Sequence, residues 1–130
     1  MLIHRHAYDA MIDHCISELP NEGCGILSGN STVISRIWKM KNIDASPESF
    51  MMDPEEINDV LERIHYLGEQ FMGVFHSHPS ASPYPSKEDM DHFHYQNLPY
   101  FIVSLASSSP DVQCYYIRKG KAERAEFNMI

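Results

Sequence analysis

His76 and His78 stand one residue apart at the end of the apolar run Phe71-Met72-Gly73-Val74-Phe75, and ten residues separate His78 from Asp89. Side chains alternate along a strand, so the two imidazoles face the same way and can converge on one ion. Asp89 is delivered as a third donor by a loop that Pro79, Pro83 and Pro85 stiffen. Two histidines and a carboxylate with the fourth position open describe a catalytic zinc, since a structural zinc is usually closed by four protein ligands, mostly Cys. Hydrolysis at such an ion needs a base for the protons of its water. Glu22, in Pro20-Asn21-Glu22-Gly23-Cys24-Gly25, is the candidate, at the start of a segment that can lie beside the histidine strand. Ser86 supplies a hydroxyl near Asp89 that can donate to the oxyanion formed when water attacks a carbonyl.

Each of these residues also has a plainer reading. Ser86 and Asp89 fit a capping box, in which both serve the end of a helix without any metal. Glu22 fits a solvated acid at a helix–strand junction. His92 lies one helical turn after Asp89, so His92 and His94 are rival ligands, although a pair on a rigid strand is better preorganised than a histidine on a short helix. Cys24 reads as a small buried hydrophobe. His4, His6, His14 and His65 show no partner spacing and read as surface or cap residues. Turn chemistry accounts for Asn42, and Tyr84 reads either as the lip of a channel or as loop packing.

A distant glutamate, His-Ser-His-Pro, and Pro-Ser-x-x-Asp with ten residues between the second histidine and the aspartate resemble the JAMM motif of MPN-domain zinc metalloproteases. The resemblance implies an MPN-like, cytidine-deaminase-like fold and one Zn²⁺ per chain on His76, His78 and Asp89. It makes Glu22 the general acid/base and Ser86 the group that stabilises the tetrahedral intermediate. It also implies cleavage of a peptide or isopeptide bond after the C-terminal glycine of a ubiquitin-like protein, with Asn42, Phe50 and Met52 lining the channel for the tail. Members that process ubiquitin chains carry insertions flanking the active site, for which 130 residues leave no room. The chain therefore resembles the minimal prokaryotic forms, which implies a sulfur-carrier protein with a Gly-Gly tail as partner, taken up by strand addition at an exposed edge. Two other readings compete. A nucleobase deaminase would need His-x-Glu and Pro-Cys-x-x-Cys, and neither occurs. A non-catalytic MPN-type binding module would keep the fold, but the retention of all five chemical positions counts against it.

The elements that must hold these residues follow from periodicity. Apolar residues from Ala7 to Leu19 recur at helical steps until Pro20. Gly25 to Leu27 and Thr32 to Trp38 read as strands joined by a Ser28-Gly29-Asn30 turn, and Lys39 to Met52 as a loop. Asp53-Pro54-Glu55-Glu56 starts a helix whose stripe is Ile57, Val60, Leu61, Ile64 and Leu67, ending at Gly68. Phe71 to His76 reads as a buried strand and Ser86 opens a short helix. Tyr100 to Leu105, Val112 to Ile117 and Ala122 to Phe127 read as closing strands. The result is an α+β chain, a mixed sheet packed by helices in one domain spanning residues 1–130.

Composition narrows the partners. Eighteen Asp and Glu against ten Lys and Arg give a formal charge of −8, with eight histidines uncounted. That balance argues against nucleic acid, which needs clustered basic residues. No run approaches the ~18 apolar residues of a membrane span, and the first residues lack the apolar core of a signal peptide, so the expectation is a cytoplasmic protein with no membrane partner. Three cysteines without a Cys-x-x-Cys pair indicate neither a disulfide framework nor a cysteine zinc site. Oligomeric state is left open.

Overall fold

The computed structural model describes residues 1–130, in which three helices pack on an eight-stranded mixed sheet. In chain order these are β1 (Leu2–Ile3), α1 (Arg5–Ser17), β2 (Cys24–Asn30), β3 (Val33–Met40), α2 (Pro54–Tyr66) and β4 (Gln70–His78). Then come α3 (Lys87–His92), β5 (Tyr100–Ser104), β6 (Asp111–Arg118), β7 (Lys121–Ala125) and β8 (Asn128–Met129). The sheet runs β7-β6-β5-β4-β2-β3-β1-β8. Parallel pairing of β4 with β5 requires a crossover, and the segment holding α3 supplies it. No helix is long and apolar enough to cross a membrane.

The two faces of the sheet bury different cores, and strand alternation decides which residue goes where. On one face Met11 and Cys15 of α1 meet Leu27, Ile34, Phe75, Phe101 and Val103. On the other, Val60 and Ile64 of α2 meet Cys24, Ile26, Val74, Tyr100 and Ile102. In β4 Val74 therefore belongs to the α2 face and Phe75 to the α1 face. His76 and His78 continue the α2 face beyond its last apolar residue.

The helix of residues 53–66 forms as its sequence predicts: Asp53 accepts from the Glu55 N–H at 3.0 Å, and Pro54 takes the first helical position. Three expectations are corrected. The first helix covers Arg5–Ser17, two residues earlier at each end than Ala7 to Leu19. Ser28, Gly29 and Asn30 are strand residues, and the reversal falls at Ser31-Thr32, where Ser31 takes φ 58°. Gly29 marks a close approach at a register shift, since a Cβ there would lie 2.0 Å from the Val33 carbonyl oxygen. The last predicted strand, Ala122 to Phe127, covers Lys121–Ala125 as β7, and an unforeseen short strand, β8, follows it and pairs with β1 at the opposite edge.

Candidate metal centre

β2 and β4 pair antiparallel with Cys24 opposite His76, so the segment before β2 reaches the end of the histidine strand. Two bonds lock it there: the Gly23 N–H donates to Ser77 Oγ at 2.8 Å, and the Ser77 N–H donates to the Gly23 carbonyl at 3.0 Å. Ser77, between the two histidines, points to the other face and holds the Glu22 segment against β4. α3 supplies Asp89 from its first turn. Ser86 caps this helix with both halves of a capping box: its Oγ accepts from the Asp89 N–H at 3.0 Å, and its own N–H donates to Asp89 Oδ2 at 2.9 Å.

Three donor atoms converge. His76 Nε2 lies 3.1 Å from His78 Nε2 and 3.2 Å from Asp89 Oδ2, and His78 Nε2 lies 3.0 Å from the same oxygen. His76, His78 and Asp89 are all buried. His78 Nδ1–H donates to the Ser82 carbonyl at 2.7 Å, so in the neutral ring Nε2 carries the lone pair. A lone pair facing a carboxylate oxygen at 3.0 Å is repulsive until a ring proton or a metal cation stands between them. Donors on a tetrahedral ion bonded at about 2.1 Å stand about 3.4 Å apart, close to the separations here. The donor set, nitrogen and oxygen without thiolate, suits zinc. His76, His78 and Asp89 therefore fit a metal ion.

Glu22 is the other carboxylate near the pair, and with both imidazoles it also forms a possible ligand group. Its Oε1 lies 4.0 Å from His76 Nε2, farther from the pair than Asp89, which is within 3.2 Å of both rings. Glu22 is 3% exposed, and its Oε1 has no hydrogen-bond partner. Burial, aided by the Asp89 charge, pushes its pKa up to about 8. Burial would raise Asp89 too, but His76, His78 and the Ser86 N–H hold it well below the usual carboxylate range. Burial drives His76 down against the pull of Asp89. For His78, the bonds to Asp89 and Ser82 outweigh burial and raise it. Two carboxyl groups are thus driven apart in one site, one held ionised and one inclined to carry a proton.

Beside Asp89 opens a cleft of about 370 Å³ whose walls include Phe50, Met52, Ile57, Phe93, Tyr95 and Tyr100. His92 and His94 line this cleft rather than the donor cluster, and His92 Nδ1–H is committed to the Glu88 carbonyl at 3.0 Å. A larger, shallower groove of about 560 Å³ between α1, β3 and α2 contains none of the five predicted residues. β2 and β4 are both paired on either side, so neither is the exposed edge expected for strand addition. Tyr84 packs edge-on against Tyr115, 5.5 Å between centroids, and does not line the cleft. His14, expected at the surface, is buried with Nε2 3.2 Å from the Cys24 carbonyl oxygen. The sequence alone assigns no role to Ser77 and reads Asn42 as a channel residue or, almost as well, a turn residue; Phe50 and Met52 line the cleft, whereas Asn42 does not. The one available signal was the position of Ser77 between two same-face histidines, which sends it to the opposite face.

Comparison with known proteins identifies the family of the chain. The family of prokaryotic homologs of the JAB domain matches residues 4–118. A desampylase from Haloferax volcanii is 31% identical over 105 residues, covering 75% of this chain and 76% of its own. A CysO-cysteine peptidase from Mycobacterium tuberculosis is 26% identical over 133 residues, covering 100% and 91%. A solution structure of a protein from Desulfitobacterium hafniense superposes with a TM-score of 0.92 at 31% identity, covering 99% and 92%. This chain belongs to the prokaryotic homologs of the JAB domain and is a hydrolase of the JAMM type.

Proposed function

We propose that this chain is a zinc-dependent peptidase, acting as one MPN/JAMM domain over residues 1–130, that hydrolyses the bond after the C-terminal Gly-Gly of a ubiquitin-like, sulfur-carrier-type protein. The observation that carries the reading is the meeting of His76 Nε2, His78 Nε2 and Asp89 Oδ2 within 3.2 Å, with the unpartnered Glu22 carboxylate beside them. The names of the desampylase and CysO-cysteine peptidase relatives support the substrate class.

In this reading His76, His78 and Asp89 hold one zinc ion, which supplies Lewis acidity at the fourth position. Glu22 accepts a proton from the attacking water and returns it to the leaving amine. Burial alone favours the protonated carboxyl, and a cation at the neighbouring donors would favour the ionised form that can accept the water's proton. The Ser86 hydroxyl, whose oxygen accepts from the Asp89 N–H, keeps its own proton free to donate to the developing oxyanion. The cleft beside Asp89 seats the substrate chain, and its aromatic and methionine walls exclude water from the reacting carbonyl.

The test is incubation of zinc-loaded protein with Gly-Gly-tailed carriers bearing C-terminal extensions, read by intact mass. The expected result is loss of the extension, about one zinc per chain, loss of metal in His76→Ala and Asp89→Ala, and its retention in Glu22→Gln with turnover cut to a small but measurable residual rate. Intact mass unchanged for every carrier would favour the non-catalytic binding module instead.

A further inference from the structure

We propose that Asn42 is a positioning residue for this reaction, using the two halves of one amide to hold Glu22 and His76 in a fixed relation. The inference rests on the reading of Glu22 as the proton carrier. Asn42 follows the end of β3 and is 9% exposed. Its Nδ2 donates to the carbonyls of Glu22 at 3.0 Å and Ser49 at 2.9 Å, with a long third contact to the Ser46 carbonyl at 3.5 Å. Its Oδ1 accepts from the N–H groups of Asp44 at 3.1 Å and Met51 at 3.2 Å. Two donors and two lone pairs are the full capacity of an amide, and all four are spent on backbone.

An ordinary Asx-turn needs only the contact to Asp44, two residues on. The other three bonds tie together segments up to twenty residues away. One end of this web is Glu22, whose peptide groups are gripped from the same loop on both sides: its carbonyl by Asn42 and its N–H by the Ser46 carbonyl at 2.9 Å. The other end is Phe50, between the two residues, Ser49 and Met51, that Asn42 bonds. The Phe50 ring stacks on the His76 imidazole with centroids 4.6 Å apart and planes inclined by 22°.

That stacking bears weight because His76 lacks the usual support of a metal-binding histidine. Such rings commonly donate their second nitrogen to a carboxylate or carbonyl, which fixes their orientation. His76 Nδ1 is buried and has no partner. Its ring instead stacks on Phe50 and meets the Tyr100 ring at a 42° tilt, with centroids 5.0 Å apart. Loop 42–51 therefore reaches two different members of the site, and Asn42 is the side chain around which the loop closes.

The experiment compares Asn42→Asp and Asn42→Ala in the zinc-loaded full chain, with a peptidyl-Gly-Gly-aminocoumarin as probe. Asn42→Asp keeps both acceptor bonds and sets a carboxylate oxygen against the Glu22 and Ser49 carbonyls, so the milder variant tests the donor half even where Asn42→Ala folds poorly. Both should lower kcat roughly ten- to a hundredfold, the scale of a misplaced catalytic group, with KM within about threefold of wild type. Zinc should remain at one per chain. In a Glu22→Gln background, Asn42→Asp should cause no further loss, because residues acting through one another are not additive. An equal fractional loss in both backgrounds, an effect on KM alone, wild-type kcat, or loss of zinc would each overturn the proposal. A Glu22→Gln variant that cleaved at the wild-type rate would instead remove the underlying reading, before any Asn42 variant is considered.

Discussion

The serine at the head of α3 carries two readings that one substitution separates. Ser86 Oγ caps the helix by accepting from the Asp89 N–H, and the capping box forms as its sequence pattern predicts. Glycine is nearly as good an N-cap as serine, differing by a few tenths of a kcal/mol, but has no hydroxyl. Ser86→Gly should therefore melt within a few degrees of wild type, while kcat falls about 10²- to 10³-fold, the effect of removing one oxyanion donor. A variant with unchanged kcat would reduce Ser86 to a cap. The residues of this site were unequally legible in the sequence. His76, His78 and Asp89 declare themselves by spacing, because a strand and a capped helix are both local patterns. Asn42 does not, because its partners lie two, seven, nine and twenty residues away and nothing local distinguishes it from a turn asparagine. Ser77 is hidden for the same reason, since its bond to the Gly23 N–H joins residues 54 apart.

At the scale of elements, the site depends on the register of β2 against β4, and Gly25 allows that register. Gly25 pairs with Phe75, and a Cβ at Gly25 would lie 2.3 Å from the Phe75 ring and 2.5 Å from the Trp38 carbonyl oxygen. The ring can swing, but the backbone oxygen of β3 cannot easily retreat. Gly25→Ala should cost about 1–3 kcal/mol as overpacking and should spread β2 from β4 one residue away from the Cys24–His76 pair. Gly68→Ala is the control: it meets no atom within 4 Å and pays only for φ +72°, about 1–2 kcal/mol, at a turn remote from the donors. Denaturation midpoints should drop for both, whereas turnover by the folded protein should drop only for Gly25→Ala. Equal turnover in the two variants would mean that the register tolerates the change. The same strands show where sequence patterns fail. Glycine is common in turns, so the Ser28-Gly29-Asn30 pattern suggests one, yet Gly29 admits a neighbouring backbone at a bulge. β1 and β8 are two residues each, too short for any period, and exist only because β3 offers β1 an edge and β1 offers one to β8.

Across the whole molecule, two apolar cores stabilise the sheet from either side, and the donor cluster sits where the α2-side core gives out. Burying Glu22 there works against stability when no cation is present. Its carboxyl is raised from 4.5 to about 8, so between these values the unfolded chain has lost a proton that the folded chain still holds. Stability from this group is thus complete below pH 4.5 and is lost as pH rises through 8, on the order of 4 kcal/mol across the window. The neighbours do not mask the effect. Asp89 stays ionised throughout, and its own contribution is lost only in acid. His76 is lowered and gains stability as pH rises, whereas His78 is raised and loses it, so the two oppose each other near pH 6.5. Glu22→Gln keeps the shape and removes the titration. In chelator-treated protein this variant should melt higher than wild type at pH 8, and the gap should shrink steadily toward pH 5. Zinc should narrow the gap at pH 8, because a cation beside Glu22 stabilises the ionised carboxylate that burial disfavours. Melting curves at several pH values, with and without zinc, measure both effects. A metal-free Glu22→Gln protein no more stable than wild type at pH 8 would show that the buried carboxylate is satisfied in some other way.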